Sequence, residues 1–449
     1  MLKDDYIDSY VKYPMSRFIV FTVGVLLGHP FASGAFMADE YVTDIGERLM
    51  LSDTVLVLML LVFGLTVFTR KICWPRYTLA GLFFVVSCLF SVLLSPNVVG
   101  GAGVIALEVG LKEVVIYAYL FAISIALYNM LLDRSTLNSF IWGLVLGGGS
   151  SIALACSIKF LHFPPFPQYG THLQGTFRNG AQFGVYLFWI SLALMPFYLF
   201  GSKGLQKKAI LVLLLFIPAA LFLSSKRSAM VGFGVIFVLM VLYIGFIRGK
   251  LGAALLVVLF GIFSYVIFFE MLLPKIMPGE FEYFVQRASA VKEATSAQRA
   301  SGFFEESNKR AAFAMFKKKP LTGNGIGLVS FAPESTGYEI HNGYLKFLGE
   351  GGLFMIITGF WALYAFGMKG ARYQIGQARQ YLNAVNCYRW IYLAVFVMQY
   401  WGWGFRKREM WVVIAFIEAF KALYQPAEEN MWQDYYATTE QQSDTSNKK

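Results

Sequence analysis

Charge is scarce in this chain. Asp, Glu, Lys and Arg make up 14% of its 449 residues against 57% hydrophobic residues, a balance that excludes an ordinary soluble protein. Histidine is scarcer still. Of His29, His162, His172 and His341, no two have metal-ligand spacing, so neither a metal site nor a cofactor is expected. Cys73, Cys88, Cys156 and Cys387 are dispersed, lack CxxC spacing and lie in or beside apolar stretches. They read as packing or cytoplasmic thiols rather than as a disulfide framework. A cleavable signal peptide is not evident either. The first sixteen residues are polar and mixed in charge, and the apolar run that follows is long enough to cross a membrane. Acids are fewer than bases, giving a net charge of +11. The cations sit mostly at the ends of apolar stretches, where anionic lipid accounts for them, so nucleic acid is not an expected partner.

Long apolar runs are what remains. About 30 Å of hydrocarbon takes roughly 20 apolar residues in helical form, and such stretches recur from Phe18 to Leu423, without the alternation of a β-barrel. The chain therefore reads as an all-α polytopic membrane protein. Spans are expected to start near Phe18, Thr54, Thr78, Val114, Ser139, Ala181, Ala209, Ser228, Leu251, Tyr344, Ile391 and Met410, about twelve in all, with the last two short. This divides the chain into a membrane domain over 1–273, an extracytoplasmic loop over 274–343, a second membrane part over 344–424 and a flexible cytoplasmic tail over 425–449. The basic loops containing Arg70, Lys203, Arg248 and Lys369 are even-numbered and read as cytoplasmic. The acidic first loop, with Asp39, Glu40, Asp44 and Glu47, reads as outside.

Several cations fall on the wrong side of that scheme: Arg178, Lys226, Arg227 and the run Arg406, Lys407, Arg408. Arg178 lies in GTFRNGAQFGVY, with Asn179 and Gln182 just before an apolar span. Lys226 and Arg227 lie in LSSKRSAMVGF, with Ser225, between two apolar runs that have almost no connecting loop. Single cations at span ends can snorkel to phospholipid headgroups. Two clusters with flanking Ser, Asn and Gln favour an anion site instead, since guanidinium forks suit a phosphate or diphosphate. The Arg406 to Arg408 run is a weaker candidate, because one span more or less would move it to the cytoplasm.

The stretch from about Leu273 to Tyr344 is the one long polar excursion, and such loops are usually functional. Glu280 to Glu293 and Ser301 to Lys319 read as amphipathic helices, with Phe313 and Phe316 on the second. Arg287, Arg299, Lys309 and Arg310 line the loop. Pro320 stops the second helix, and LTGNGIGL follows as a Gly-rich turn. A nucleotide site would need a βαβ unit or a P-loop Lys-Ser/Thr, and neither is present. The glycines read as permitting a tight turn that returns His341 to the bundle.

His341 opens HNGYLKFLGEGG beside the mouth of a span, where a side chain titrating near neutral pH suits proton transfer. It is a candidate general base, with an interfacial structural histidine as the alternative. Glu350, nine positions later, falls near the opposite face if the helix is continuous. It therefore reads as structural, a buried acceptor for another helix, with Gly349, Gly351 and Gly352 allowing close packing.

These motifs together resemble the O-antigen ligase and O-antigen polymerase superfamily. PLTGNGIGL followed by HNGYLKFLGEGGL is similar to its P-x-x-G-x-G-x-G and H-N-x-x-L signatures with a downstream E-x-G. GTFRN is similar to its G-T-F-x-N segment, and SSKRS to its S-x-x-R-[ST] segment. The resemblance covers roughly residues 175–353. It implies inverting, metal-independent glycan transfer from an undecaprenyl-diphosphate-linked donor on the outer face of the bacterial inner membrane. Arg178 and Arg227 would grip the diphosphate with Lys226 nearby, and His341 would take the acceptor proton. Asn179, Gln182, Ser225, Asn342 and Glu350 would support them. The acceptor would be a second glycan or lipid A-core, and other polysaccharide assembly proteins are implied as partners. Two departures stand out. The family's loop arginine has only Arg310 and Arg299 as nearest candidates, and its N-P-N is replaced by Asn179-Gly180-Ala181.

Polymerase is favoured slightly over ligase, since the chain is long for a minimal ligase and has no appended acceptor-binding domain. A transporter is the competing class, but it would usually show two related halves with polar groups near mid-membrane. Here the halves are lopsided, and the polar clusters lie at the outer edge.

Overall fold

The computed structural model describes residues 16–31, 51–67, 72–99, 103–165, 172–177, 179–224, 226–247, 249–266, 309–328, 342–367, 386–401 and 404–424, with a few residues between 270 and 282 and residue 331. All regular structure among them is helical. The helices used below are α1 (Ser16–Leu27), α2 (Leu51–Val67), α3 (Thr78–Leu93), α4 (Gly103–Leu131), α5 (Arg134–Cys156), α6 (Gly180–Phe200), α7 (Gly204–Leu223), α8 (Arg227–Leu242), α9 (Leu251–Tyr265), α10 (Gly343–Lys346, continued by a π turn over Phe347–Gly351), α11 (Gly352–Gly367), α12 (Leu393–Trp401) and α13 (Arg408–Tyr424).

A helix occupies each of the twelve positions where the sequence predicts an apolar one. Six helical stretches are long and apolar enough to cross a membrane: Gly103–Leu131, Arg134–Leu161, Gly180–Leu199, Gly204–Leu223, Ser228–Phe246 and Gly343–Phe366. The polypeptide is thus built as a membrane protein. α4 begins eleven residues before the expected Val114, because its first turns carry charge that the helix satisfies internally and across the bundle. Glu108 pairs with Lys112 one turn on at 2.7 Å, and Glu113 pairs with Arg406 at 2.6 Å.

Close backbone contact organises the first half. Gly24 on α1 and Gly28 just past its end face Gly143 and Gly147 on α5. A Cβ on Gly143 would meet the Phe21 carbonyl oxygen at 2.3 Å, and one on Gly28 would meet that of Gly147 at 2.4 Å. Two small-x-x-x-small pairs therefore let these helices touch along their backbones, the packing mode that apolar surroundings favour.

Two segments reverse direction inside the bundle. In a straight helix, Tyr344 and Phe360 would stand about 24 Å apart. Their rings instead stack at 5.3 Å with 5° between planes, and a Cβ on Gly359 would lie 3.3 Å from Phe347. The turn is at Gly352, whose φ of +63° is a conformation L side chains rarely adopt. The new helix start is capped from outside, Leu353 and Phe354 donating their N–H groups to the carbonyls of Pro320 and Leu321. Gly343–Phe366 is therefore a candidate span by length and composition only, and the expectation of one continuous helix through Glu350 is corrected: α10 and α11 form a hairpin.

The second reversal joins α12 to α13. Tyr388 packs on Phe416 and Phe420, and the Gln399 amide reaches the Met410 sulfur. The tip of this hairpin, Gly404 to Lys407, enters the bundle with Phe405 stacked on Phe84 at 4.5 Å. α13, expected to be a short last span, is buried at every residue from Arg408 to Lys421 and packs against α4, α6 and α11. Its ionised residues are matched within the protein, as in Glu418 and Lys421 at 2.6 Å.

Candidate functional site

The segments flagged from sequence around Arg178 and Arg227 are neighbours in space. Leu173 donates its N–H to the Leu223 carbonyl at 2.9 Å. A Cβ on Gly180 would come within 2.8 Å of the Ser224 oxygen, and one on Gly184 would meet the Lys226 Cβ at the same distance. Glycine at both positions is what lets the amino-terminal end of α6 lie against the chain entering α8. Arg178 and Ser225 fall outside the described residues, as does the Arg227 side chain. Their flanking backbones are joined by these contacts. His172, which carries no motif, stands at the junction, with its Cβ 2.9 Å from a Cβ placed on Gly180.

Asn179 and Asn342 do the same local job. Each has extended backbone, and each side-chain oxygen accepts an N–H three residues on, from Gln182 and from Leu345, both at 3.0 Å. They are N-caps, worth about 1 kcal/mol each. In the repeated pattern Arg178-Asn179-Gly180 and His341-Asn342-Gly343, the asparagine is thus a helix cap both times. His341 itself lies outside the described residues. The helix it precedes is tied to α12 by the Tyr344 hydroxyl, which donates to the Phe396 carbonyl at 2.6 Å, and α12 in turn packs on α8.

The run from Arg406 to Arg408 joins this region. Arg406 is held by Glu113, and Arg408 by Asp53 at 3.1 Å, by Glu409 at 3.6 Å and by the Ser52 hydroxyl. Lys407, between them, lies within electrostatic reach of Lys226. Glu409 lies within reach of the Tyr186 phenol, half a turn beyond Gly184. Burial pushes the pKa of Lys407 below the usual lysine value, with Glu409 opposing and Arg406, Lys226 and Arg408 adding to the shift. Burial lowers that of Lys226 as well. Neither ammonium makes a hydrogen bond or ion pair with a described residue.

Glu350 stands elsewhere, as a structural group. Its Oε2 accepts the Gly327 N–H at 2.9 Å and lies 3.5 Å from the Lys346 ammonium. Its partners thus include the Gly-rich turn and the lysine one turn before it. Gly323, Gly325 and Gly327 all have positive φ, as a tight turn requires. The turn is sealed by Asn324, which donates to the Met315 and Gly349 carbonyls, and by Ser91, which accepts from Ile326. Arg310 is exposed on helical residues 309–318, whose Ala312 and Met315 pack with Leu345 and Gly349 rather than with the α6–α8 junction. Phe313 is exposed on the same stretch. Arg299 and most of the expected helix Glu280 to Glu293 fall outside the described residues, as do the acidic first loop and the tail.

Of the remaining histidines, His29 is buried and bonded to Ser150 at 2.7 Å, a structural arrangement. No cluster of three or more His, Cys, Asp or Glu that could hold a metal occurs among the described residues. No protein-family model and no curated protein matches the chain.

Proposed function

We propose that this chain is a membrane glycosyltransferase of the O-antigen polymerase and ligase type, taking its glycan from a polyprenyl diphosphate. The observation that carries the reading is the junction of the two cation-bearing segments, whose Arg178 and Arg227 are 49 residues apart in sequence, with a lysine, Lys226, that makes no ion pair with a described residue. An anion is what such a junction would hold, and a diphosphate leaving group is the anion the motifs imply.

In this reading an acceptor hydroxyl attacks the anomeric carbon from the face opposite the diphosphate. The bond from that carbon to the diphosphate oxygen breaks, and its electron pair stays on the diphosphate. Arg178, Arg227 and Lys226 stabilise the charge that develops there, which is the kind of preorganised electrostatics that speeds group transfer most. His341 takes the proton of the acceptor hydroxyl. Twelve membrane segments, an outward-facing site and residence in the bacterial inner membrane belong to the same proposal. Polymerisation of repeat units is the favoured reaction, and ligation of the finished chain to lipid A-core is the alternative.

The test is to delete the gene, restore it with wild type or with His341→Ala, and measure the glycan left on the polyprenyl diphosphate. Single repeat units accumulating with His341→Ala are expected for a polymerase, and long stranded chains for a ligase. Normal glycan from His341→Ala would remove the histidine from the chemistry. An unchanged carrier pool in the deletion would point to a transporter.

A further inference from the structure

Buried hydroxyls without partners mark places where a polypeptide is incomplete by itself. Among the described residues Thr176 Oγ1, Ser228 Oγ and the Tyr186 phenol are such groups. Thr176 is 3% exposed and two residues before Arg178. Ser228 is 8% exposed and one residue after Arg227. Tyr186 is 1% exposed and lies on the α6 turn next to Gly184. Thr176 and Ser228 belong to the two segments that meet at the α6–α8 junction, whereas the Tyr186 phenol points away from it, toward Gly28, where a Cβ would meet its oxygen at 2.5 Å. None of the three can be satisfied by water at a surface.

The hairpin tip brings charge to the same place, and its three cations are not equivalent. Arg406 and Arg408 have acids against them, Glu113 on α4 and Asp53 on α2, contacts that pin the two sides of the tip to the bundle. α12 packs on α8 and α13 on α6, so the tip between them lies beside both helices. Lys407 stands there between two anchored neighbours, with Glu409 the one acid among the described residues within its electrostatic reach and with Lys226 in reach as well. Holding two ammonium groups near one another at partly buried positions is unfavourable unless an anion lies between them. Anchored arginines on both sides also fix where that ammonium stands, so the cost of ordering a lysine has been met before a ligand arrives.

We propose that Lys407 is a donor-binding residue, its ammonium meeting the diphosphate of the lipid-linked glycan from the hairpin tip, opposite Lys226, while the Thr176 and Ser228 hydroxyls complete the shell of donors. The inference rests on the glycosyl-transfer reading. It assigns to the site a residue some 180 positions beyond the nearest cation motif, and it gives the hairpin that ends the membrane domain a direct part in holding the substrate.

The experiment uses the full chain in lipid nanodiscs, titrated with undecaprenyl diphosphate and, separately, with undecaprenol. Wild type should bind the diphosphate much more tightly than the alcohol. Lys407→Gln should lose about tenfold or more in affinity for the diphosphate, the size expected of one charge-assisted hydrogen bond. Lys407→Arg should keep most of it, and the alcohol should not distinguish the three proteins. Without ligand, Lys407→Gln should unfold no lower than wild type, because it removes an unmatched charge, and a clear drop would overturn the proposal by marking the lysine as structural. Wild-type affinity in Lys407→Gln, with Arg178→Ala defective, would overturn Lys407 and leave the function standing. If wild type binds diphosphate and alcohol equally, the functional reading falls and this inference with it.

Discussion

Two polar clusters in this bundle are built from similar residues to opposite effect. Around Glu350 opposite charges are paired: Lys346 is 2% exposed at its side chain and lies 3.5 Å from the carboxylate, and Gly327 donates to the same group. At the α6–α8 junction, Lys226 and Lys407 lie within electrostatic reach of each other, and Thr176 and Ser228, on the two segments that meet there, have unpartnered hydroxyls. A closed cluster is a means of fixing backbone, since removing one member strands another in a dry interior. An open cluster is held in place by the rest of the fold and is completed by something else. Mutation should therefore move stability in opposite directions at the two sites.

The largest effect is expected at the closed site. Glu350→Ala strands the Lys346 ammonium and the Gly327 N–H, and it should cost about 3–5 kcal/mol. Unfolding midpoints in detergent should fall sharply, with or without polyprenyl diphosphate present. Glu113→Gln comes next, at about 1–3 kcal/mol, because its partner Arg406 is 18% exposed and keeps some solvent. Glu113 serves both clusters. Its Cγ would lie 2.5 Å from a Cβ on Gly327, so it wedges the glycine turn while anchoring the hairpin tip. Glu113→Gln should accordingly weaken diphosphate binding as well as stability, whereas Glu350→Ala should leave binding to the surviving folded fraction near wild type. Equal losses of binding in the two variants would erase the distinction between the clusters.

Much of this was legible in the sequence, and what was not has identifiable reasons. Apolar runs predict where helices lie because burial in hydrocarbon needs little beyond composition and length. The glycine turn was legible because positive φ leaves few other residues to choose. The start of α4 was not, since Glu108, Lys112 and Glu113 look like a loop until Lys112 and Arg406 are seen to answer them. The reversal at Gly352 was hidden by apolarity, as Leu353 to Phe366 continue the run that precedes it. The Arg406 to Arg408 run is conspicuous in the sequence, but no local pattern fixes its place. Its partners Glu113 and Asp53 lie hundreds of residues earlier, and pairing at such separations leaves no local pattern.

Capping provides a subtler comparison within the open site. Asn179→Ala and Asn342→Ala should each cost about 1 kcal/mol. The two helices are distinct, so the double variant should lose nearly the sum. If the caps also set the residues before them, glycan transfer should fall more than stability explains in both variants. Restoration by Asp or Ser, which cap equally well, would separate that positioning role from any contact of the amide with substrate. Wild-type transfer in the alanine variants would mean that the caps hold helices and nothing more.

The smallest effect has the sharpest sign. Burial lowers the pKa of Lys226, so the folded chain gives up that proton at a lower pH than the unfolded chain does. Below the folded value both states are protonated and the folded state bears the full cost. Between the folded value and the ordinary 10.5 the unfolded state holds more protons, and stability should rise with pH. Lys226→Gln removes the term, so at pH 7 the variant should be more stable than wild type by about 0.5–1 kcal/mol. The gap should close as pH approaches 10, which unfolding midpoints at a series of pH values would follow. Lys407 has the same direction of shift and should behave alike, while saturating polyprenyl diphosphate should reverse the order by stabilising wild type alone. Parallel pH curves for wild type and Lys226→Gln would mean that the ammonium has a partner after all, and the open cluster would then be a closed one.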